Sequence, residues 1–339
     1  MRYTANEIFF IKYNYRRVIM RAVILEAHAV NPGDVSWDPV TSLIPTDIYE
    51  NTTEDEKWNR IKGHELVLTN KVKIDEEVFS RFPEIRYVGV CATGYNVVDL
   101  EAAKRRGIIV TNIPAYSTDS VVQCTWALIL ELTSHVAMHA ESVRRGDWIK
   151  SPTFCYWLTA PTELSGKTIG IYGFGNIGRG VAKVAEAFGM QVLVHTAHPE
   201  KYEAAASSAI HFVDEEELFR SSDILTFHCP LTEETNGLVN QQTISRMKDG
   251  VILINVSRGP IINEADLAVA LKSKKISGAG LDVISVEPML PDNPLINAPN
   301  LIITPHIAWA SVEARTRLIA IAADNIRAFL NGDALNRVN

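Results

Sequence analysis

The chain has few cysteines, and none of them is arranged as a metal site or a redox motif. Its 339 residues include four cysteines and no C-x-x-C pair. They are Cys91, Cys124, Cys155 and Cys229. This usage excludes a disulfide-rich scaffold and is typical of reduced thiols in a cytoplasmic protein. We expect Cys124 and Cys229, which lie in apolar contexts, to be small core residues.

Two further absences limit the possible partners. The formal net charge is -7 rather than positive, which argues against nucleic acid as the main partner. No apolar stretch is long enough to span a membrane. Residues 1–19 do not read as a signal peptide, because Lys12 interrupts their apolar part and no small-residue cleavage site follows. We interpret them as an extension ahead of the core; the alternative is an amphipathic arm that packs on a partner subunit.

Short apolar strands alternate with helical segments along the rest of the chain. The predicted strands are Ala22–Leu25, Leu66–Leu68, Ile85–Val90, Ile108–Thr111, Thr168–Tyr172, Val192–Val194, Ile224–His228, Val251–Asn255, Ile276–Val283 and Leu301–Thr304. The longest predicted helices are Val121–Val143, Glu264–Lys272 and Ser311–Leu330. This alternation predicts an α/β protein with two doubly wound, parallel-sheet domains. We expect the functional cleft to lie between the domains.

A glycine motif predicts a dinucleotide site in the second domain. Gly173, Gly175 and Gly178 have the G-x-G-x-x-G spacing and follow the predicted strand Thr168–Tyr172. An amphipathic helical pattern follows the glycines, as a dinucleotide site requires. Gly173 permits a tight turn, Gly175 leaves room for a pyrophosphate beside the backbone, and Gly178 permits close packing of helix and strand. The alternative is a tight turn with no ligand.

The acidic residue that completes this motif in NAD-preferring sites is missing. It normally ends the next strand, about 20 residues on, and binds the ribose hydroxyls. Here the position is occupied by His195, Thr196 and Ala197, with His198 and Lys201 following. Thr196 does not repel a 2′-phosphate, and His198 and Lys201 supply positive charge. The sequence therefore favours NADP(H) or the use of both cofactors; the alternative is that NAD binds through Thr196 and the backbone.

Several spaced motifs together resemble the D-isomer-specific 2-hydroxyacid dehydrogenases, within them the glycerate dehydrogenase and hydroxypyruvate reductase type. Besides the glycine loop they are C-A-T-G-Y-N-V-V-D (91–99), H-C-P-L-T-E-E-T (228–235), I-N-V-S-R-G-P-I-I-N (254–263), G-A-G-L-D-V-I-S-V-E-P (278–288) and T-P-H-I-A-W-A-S (304–311). The resemblance implies a flavodoxin-like substrate domain from residues 20–117 and 305–339. It implies a Rossmann-like dinucleotide-binding domain over residues 118–304.

The resemblance also implies a catalytic triad of Arg258, Glu287 and His306. Reduction of a 2-keto acid needs a proton for the carbonyl oxygen, and an imidazole can supply it near neutral pH. Glu287 would orient His306 and stabilise its charged form. Arg258 would bind the substrate carboxylate and polarise the carbonyl with its fork of donors. The backbone N–H groups of Thr93 and Gly94 match the loop that holds the substrate carboxylate.

Further positions carry over from the same resemblance to cofactor contacts. Asp282 matches the residue that contacts the nicotinamide carboxamide, although an Asp after a strand is also a common cap. The remaining contacts are Asn176 and Ile177 at the pyrophosphate, Cys229, Pro230 and Thr235 at the adenine, and Val121 and Val256 at the nicotinamide.

The chain departs from the family pattern outside the triad as well. The family's V-A-E signature is Val121, Val122 and Gln123 here. Trp309 follows the triad histidine where small residues are common, and it either walls the pocket or packs against the last helix. The segment Ser151–Pro161 contains three aromatic residues where the family places dimer contacts. We expect this segment to be a subunit interface; the alternative is a loop buried within one chain.

These features predict a homodimeric NAD(P)-dependent dehydrogenase of small 2-hydroxy acids, acting on hydroxypyruvate or glyoxylate, or on D-glycerate in reverse. Glu287 argues against the related formate dehydrogenases, which have Gln there. Only 33 residues follow His306, which is too few for the regulatory C-terminal domain of a longer D-3-phosphoglycerate dehydrogenase. A short-form D-3-phosphoglycerate dehydrogenase is therefore one alternative. The other alternative is a cofactor-sensing binding protein like the related corepressors.

Overall fold

The computed structural model describes residues 20–205 and 207–339, and these fall into two compact units. One unit joins the described residues up to Tyr116 to Val312–Asn339, and the other is Ser117–Ser311. The second unit therefore contains His306 and ends at Ser311. The resemblance, in contrast, implies a nucleotide-binding domain that ends at residue 304. The predicted N-terminal extension, residues 1–19, lies outside the described residues.

Strands and helices alternate through both units. The strands are β1 Ala22–Ile24, β2 Thr46–Ile48, β3 Leu66–Thr69, β4 Tyr87–Val90, β5 Ile109–Thr111, β6 Thr168–Tyr172, β7 Gln191–His195, β8 Ile210–Phe212, β9 Ile224–Phe227, β10 Val251–Asn255, β11 Ile276–Leu281 and β12 Leu301–Ile303. The α-helices are α1 Ala27–Val30, α2 Asp38–Thr41, α3 Lys57–Ile61, α4 Glu76–Arg81, α5 Leu100–Arg105, α6 Thr118–Ser134, α7 Val136–Arg144, α8 Asn176–Ala187, α9 Glu215–Ser221, α10 Gln241–Arg246, α11 Glu264–Lys272 and α12 Val312–Leu330.

The first unit is built on a parallel sheet with strand order β2-β1-β3-β4-β5. This order is that of the flavodoxin-like doubly wound fold. The strands β1, β3 and β4 are buried along their whole length, because helices cover both faces of a parallel sheet. The C-terminal helix α12 belongs to this unit, and its Asn325 donates to the backbone oxygen of Asn112 beyond β5.

The second unit is built on a larger parallel sheet with strand order β12-β11-β10-β9-β6-β7-β8. The part β8 to β11 has the Rossmann order, with the first strand β6 beside the fourth strand β9. The chain order reverses between β6 and β9, and open α/β sheets bind their ligands at such a point. The predicted doubly wound α/β fold is confirmed in both units.

The long helix predicted over Val121–Val143 is wrong in one respect, because the chain breaks it at His135. The residue has left-handed backbone, with φ +49°, and it separates α6 from α7, whose axes differ by 58°. The carboxylate of Glu131 accepts hydrogen bonds from the N–H of Ala137 at 3.2 and 3.3 Å and so caps the second helix. Neither glycine nor proline marks the break.

No single helix in the described ranges is long and apolar enough to cross a membrane, although α6 and α7 together meet that length and composition. Much of α6 is buried in the core of the second unit: Trp126, Leu128, Ile129 and Leu132 are 5% exposed or less. The expected cytoplasmic location stays a prediction.

Candidate active site

The glycine loop lies at the reversal point of the second sheet. Gly173 follows β6 and has φ +97°, and a Cβ added to it would lie 2.8 Å from the backbone N of Cys229, just beyond β9. A Cβ on Gly178 would lie 2.2 Å from the carbonyl oxygen of Gly173. Both positions therefore require glycine, the first for backbone conformation and close approach, the second for packing of α8 on β6.

At Gly175, by contrast, the fold itself does not require glycine. Nothing lies within 4 Å of a Cβ placed there, so the space above the N-terminus of α8 is open. No described side chain caps this helix end, and its free N–H groups together with the helix dipole suit an anion. The cradle fits the pyrophosphate of a dinucleotide, with the predicted residues Asn176 and Ile177 in the first helical turn.

The segment beyond β9 forms the other wall of the cradle. Cys229 is buried, and burial raises the pKa of its thiol to about 11, so it acts as an apolar residue. Pro230 is exposed, and its carbonyl oxygen accepts a hydrogen bond from the hydroxyl of Thr235 at 2.7 Å. Thr235 thus fixes the turn that presents Cys229 and Pro230.

The position of the missing acid is partly exposed and carries no carboxylate. Thr196 is half-buried at the end of β7, and His198 pairs with Glu200 at 3.2 Å. The Glu200 charge weakens His198 as an anion contact. Arg179 on α8 lies with its guanidinium carbon 6.0 Å from the ring centre of Tyr202, in the loop after β7. No described carboxylate lies within ion-pair distance of Arg179.

The two valines predicted to contact the nicotinamide are both buried. Val121 on α6 and Val256 after β10 are 6% and 8% exposed and belong to the same apolar core. Cys124, one helical turn after Val121, has its pKa raised to about 11 by burial and by the charge of Asp282. These residues give the carboxyl ends of β10 and β11 an apolar lining on the α6 side.

Arg258 lies in a turn that Asn255 builds. Asn255 is fully buried, its Oδ1 accepts from the N–H of Ser257 at 3.0 Å, and its Nδ2 donates to the carbonyl oxygen of Arg258 at 2.9 Å. The Arg258 side chain is exposed. Among the described residues its one hydrogen-bond partner is the carbonyl oxygen of Ser257, so most of its five donors are available to a ligand.

Gly259 brings the Arg258 turn against the loop that carries Glu287. A Cβ on Gly259 would lie 1.9 Å from the backbone carbon of Ile284 and 2.5 Å from the N of Ser285. The contact is backbone on backbone, so no side chain can be accommodated there. The loop is also tied to α11, because the carboxylate of Glu264 accepts from the N–H of Ser285 at 2.6 Å.

Glu287 and His306 form a direct pair. The Nδ1 of His306 lies 2.7 Å from Oε2 of Glu287, and about a third of each side chain is exposed. A carboxylate only accepts, so Nδ1 donates and Nε2 is left as the exchangeable nitrogen. Glu287 is itself held by the N–H of Ile284, 3.3 Å from Oε1. The arrangement suits an imidazole that gives up and takes back a proton at Nε2.

His306 has left-handed backbone, with φ +56°. A non-glycine residue in that region costs on the order of 1 kcal/mol or more and persists only where its surroundings impose it. Asp282, which is 1% exposed, supplies much of that constraint. Its Oδ1 accepts from the hydroxyl of Thr304 and the N–H of Ile307, and its Oδ2 accepts from the N–H of Ala308.

Arg258, Glu287 and His306 therefore follow three neighbouring strands, β10, β11 and β12, and all belong to the second unit. Thr93 and Gly94 belong to the first unit, in the loop after β4. The carbonyl oxygen of Thr93 accepts from Asn112, while the N–H groups of Thr93 and Gly94 donate to no described group. These free donors suit a carboxylate.

Sequence comparison agrees with this geometry. Residues 126–308 match the model of the D-isomer specific 2-hydroxyacid dehydrogenase, NAD binding domain. A hydroxypyruvate reductase from Blautia hydrogenotrophica is 46% identical over 323 residues, which cover 94% of this chain and 100% of that protein. A glycerate dehydrogenase from Methylorubrum extorquens is 40% identical over 293 residues, or 86% of this chain and 90% of that protein. The chain belongs to the D-isomer specific 2-hydroxyacid dehydrogenase family.

Structural comparison gives the same family. The solved D-lactate dehydrogenase from Aquifex aeolicus, complexed with NAD and lactic acid, superimposes with a TM-score of 0.79 at 30% identity, covering 92% of this chain and 96% of that one. This dehydrogenase is accordingly an oxidoreductase of 2-hydroxy acids that uses a nicotinamide cofactor.

The sequence interpretation missed three residues of the dehydrogenase's site region. Arg179 directly follows the glycine motif and Asn255 lies inside the motif 254–263, but their contacts depend on the loop after β7 and on the turn after β10. His228 precedes Cys229; its Nε2 lies 2.9 Å from the hydroxyl of Thr226, and its buried Nδ1 has no described partner. Burial lowers the pKa of His228 to about 3, so it is neutral at physiological pH.

Proposed function

We propose that this dehydrogenase reduces hydroxypyruvate and glyoxylate, and oxidises D-glycerate in reverse, with His306 as the acid and base. The observation that supports this most is the 2.7 Å pair of His306 and Glu287, which leaves Nε2 without a described hydrogen-bond partner. The names of the two relatives, hydroxypyruvate reductase and glycerate dehydrogenase, support the choice of substrate.

The chemistry assigns a separate task to each residue. When bound, a nicotinamide cofactor would supply the hydride for reduction and accept it in oxidation. His306 donates a proton from Nε2 to the carbonyl oxygen during reduction and takes a proton up during oxidation. Glu287 stabilises the imidazolium, which is the donor in reduction and the product of proton uptake in oxidation. Arg258 polarises the carbonyl and binds the carboxylate in a bidentate geometry. The N–H groups of Thr93 and Gly94 stay a sequence-based prediction for carboxylate binding.

A steady-state panel tests the proposed function. It crosses hydroxypyruvate, glyoxylate, pyruvate and 3-phosphohydroxypyruvate with NADH and NADPH. We expect hydroxypyruvate and glyoxylate to have the highest kcat/KM. A highest value for 3-phosphohydroxypyruvate would identify a short-form phosphoglycerate dehydrogenase, and tight cofactor binding without turnover of any keto acid would identify a cofactor-sensing protein.

We further propose that the cofactor site accepts NADP(H) at least as well as NAD(H). The positions directly after β7, Thr196 and Ala197, carry no acid that would repel a 2′-phosphate. Arg179 supplies a cation whose position is set by Tyr202 and by a hydrogen bond to Asn176 Oδ1 at 2.6 Å. Thr196 supplies a hydroxyl, and Lys201 adds charge in the same loop. Arg179 takes over much of the role that the sequence gave to His198, because Glu200 partly neutralises that histidine.

Thr196→Asp should shift preference toward NADH. The new carboxylate repels a 2′-phosphate and accepts hydrogen bonds from a free ribose, so we expect a shift of roughly 1–3 kcal/mol in the ratio of specificity constants for NADPH and NADH. Thr196→Asn is the control, because asparagine has the size of aspartate without its charge. Arg179→Gln should shift the ratio in the same direction by about threefold to tenfold. Strong wild-type preference for NADH, or a ratio unchanged by Thr196→Asp, would contradict the assignment.

We also propose a homodimer whose interface includes an exposed apolar arm in the second unit. The arm follows α7 and presents Trp148, Ile149, Phe154, Trp157 and Leu158, which are 50–89% exposed. The indole N–H of Trp148 donates to the carbonyl oxygen of Phe154 at 3.0 Å, which links the two parts of the arm. An exposed cluster of large aromatic side chains is typical of a subunit interface.

Phe154→Asp and Trp157→Asp should dissociate the dimer. A charge at the centre of a desolvated apolar interface has no partner and opposes association. Light scattering after size exclusion should show the mass of one chain for these variants and of two for the wild type. Ile296→Asp, at an equally exposed apolar position outside the arm, should stay dimeric. A wild-type protein that is monomeric at micromolar concentration would contradict the proposal.

A further inference from the structure

The peptide that joins His306 to Ile307 is held by two side chains of the second unit. Its carbonyl oxygen accepts a hydrogen bond from the indole Nε1 of Trp309 at 2.8 Å. Its N–H donates to Oδ1 of Asp282 at 2.9 Å. The N–H of His306 itself donates to the carbonyl oxygens of Asp282 and Thr304 at 2.8 and 2.9 Å. The backbone on both sides of the imidazole is thereby fixed.

These contacts explain how a left-handed histidine keeps one orientation. Rotation of the 306–307 peptide would break the bond to Trp309 and the bond to Asp282 at the same time, so these bonds hold the backbone conformation from which the imidazole reaches Glu287. Trp309 is itself anchored, because it packs against the apolar core of the second unit. The indole therefore connects the position of His306 to the rigid interior.

We infer that Trp309 is a positioning residue for proton transfer, which acts on His306 through its indole N–H. The inference deepens the proposed function and rests on it, since it assumes that His306 is the acid. It adds a third role to the two that the sequence left open for Trp309: the ring serves as a hydrogen-bond donor to the loop that carries His306. Proton transfer depends on placement of the donor within a fraction of an ångström, so loss of this bond should lower turnover.

Trp309→Phe tests the inference, because it removes the donor and keeps an aromatic ring. We expect kcat to fall about fivefold to tenfold, with the KM for the keto acid and the Kd of NADPH, measured by fluorescence, within about twofold of wild type. Trp126→Phe is a matched control: this indole is 5% exposed in the same core, and its Nε1 has no described hydrogen-bond partner. It should leave kcat within about twofold.

A double mutant separates positioning from general packing. If Trp309 acts only through His306, Trp309→Phe should cause no further loss of kcat in the His306→Gln enzyme. An equal fractional loss in both backgrounds, or a wild-type kcat in Trp309→Phe, overturns the inference, as does an equal loss in Trp126→Phe. If Trp309→Phe does not fold, 3-benzothienylalanine at position 309 keeps the bicyclic shape without the N–H and decides the same question.

The failures are distinguishable. Loss of activity in His306→Gln together with full activity in Trp309→Phe overturns the inference alone. A wild-type protein that turns over no keto acid, or a His306→Gln enzyme of wild-type activity, overturns the proposed function.

Discussion

His306→Gln should lower kcat by on the order of a hundredfold or more, because it removes the imidazole whose Nε2 gives up the proton in the proposed mechanism. Glutamine retains a polar side chain of similar reach, so cofactor affinity should stay near that of the wild type. The expected loss is large because the substitution removes the proposed general acid. Stopped-flow or steady-state oxidation of NADPH with hydroxypyruvate measures it.

The pH dependence provides a control for this assignment. In the proposed mechanism reduction consumes the proton on His306 and oxidation needs the unprotonated ring, so wild-type reduction should fall and oxidation should rise as pH increases. The His306→Gln enzyme should lose this opposed dependence. A variant within about threefold of wild-type kcat, or one with an unchanged pH profile, would show that another group transfers the proton.

Arg258→Ala should lower kcat/KM for the keto acid by about a hundredfold or more, through both KM and kcat. The guanidinium is exposed and makes one described hydrogen bond, to Ser257, so its remaining donors are free to bind carboxylate and carbonyl. Loss of a single donor aimed at a developing charge typically costs about 100-fold to 1,000-fold. The kinetics of purified Arg258→Ala with hydroxypyruvate measure the loss.

Arg258→Lys is the matched control for charge. Lysine keeps the positive charge without the planar fork, so it should recover only part of the loss. The turn around residue 258 should survive both substitutions, because Asn255 builds it through the backbone. An unchanged KM for the keto acid together with a collapse of NADPH binding would make Arg258 a cofactor residue and would refute its proposed role.

Much of the fold could be predicted because its signals are local. The strand Thr168–Tyr172, the strand Val251–Asn255 and the helix Glu264–Lys272 have the predicted bounds, since buried parallel strands are continuous apolar runs and Asn263 caps the helix. The strands β2 and β8 were not predicted. Each is a three-residue strand at a sheet edge with half-exposed positions, so neither has a periodic apolar pattern.

The parts of the site that the sequence did not predict depend on contacts between distant segments. In the fold, likewise, the helix break at His135 has no glycine or proline signal. The left-handed backbone of His135 and of His306 follows from contacts with neighbouring residues and not from the residue type. Asp282 was assigned to the cofactor, whereas its three hydrogen bonds to the His306 loop depend on the pairing of β11 with β12. The hydrogen bond from the Trp309 indole to His306 depends on the same turn. No residue spacing in the sequence predicts that turn.

The configuration of the product formed from hydroxypyruvate tests the central claim most directly. Wild-type enzyme is incubated with hydroxypyruvate and NADPH, and in parallel with NADH, and the glycerate is quantified by chiral chromatography against the cofactor consumed. We expect D-glycerate in a one-to-one ratio with oxidised cofactor, and its loss in the His306→Gln enzyme. No glycerate with either cofactor, or the L-isomer or a racemate, would contradict the account.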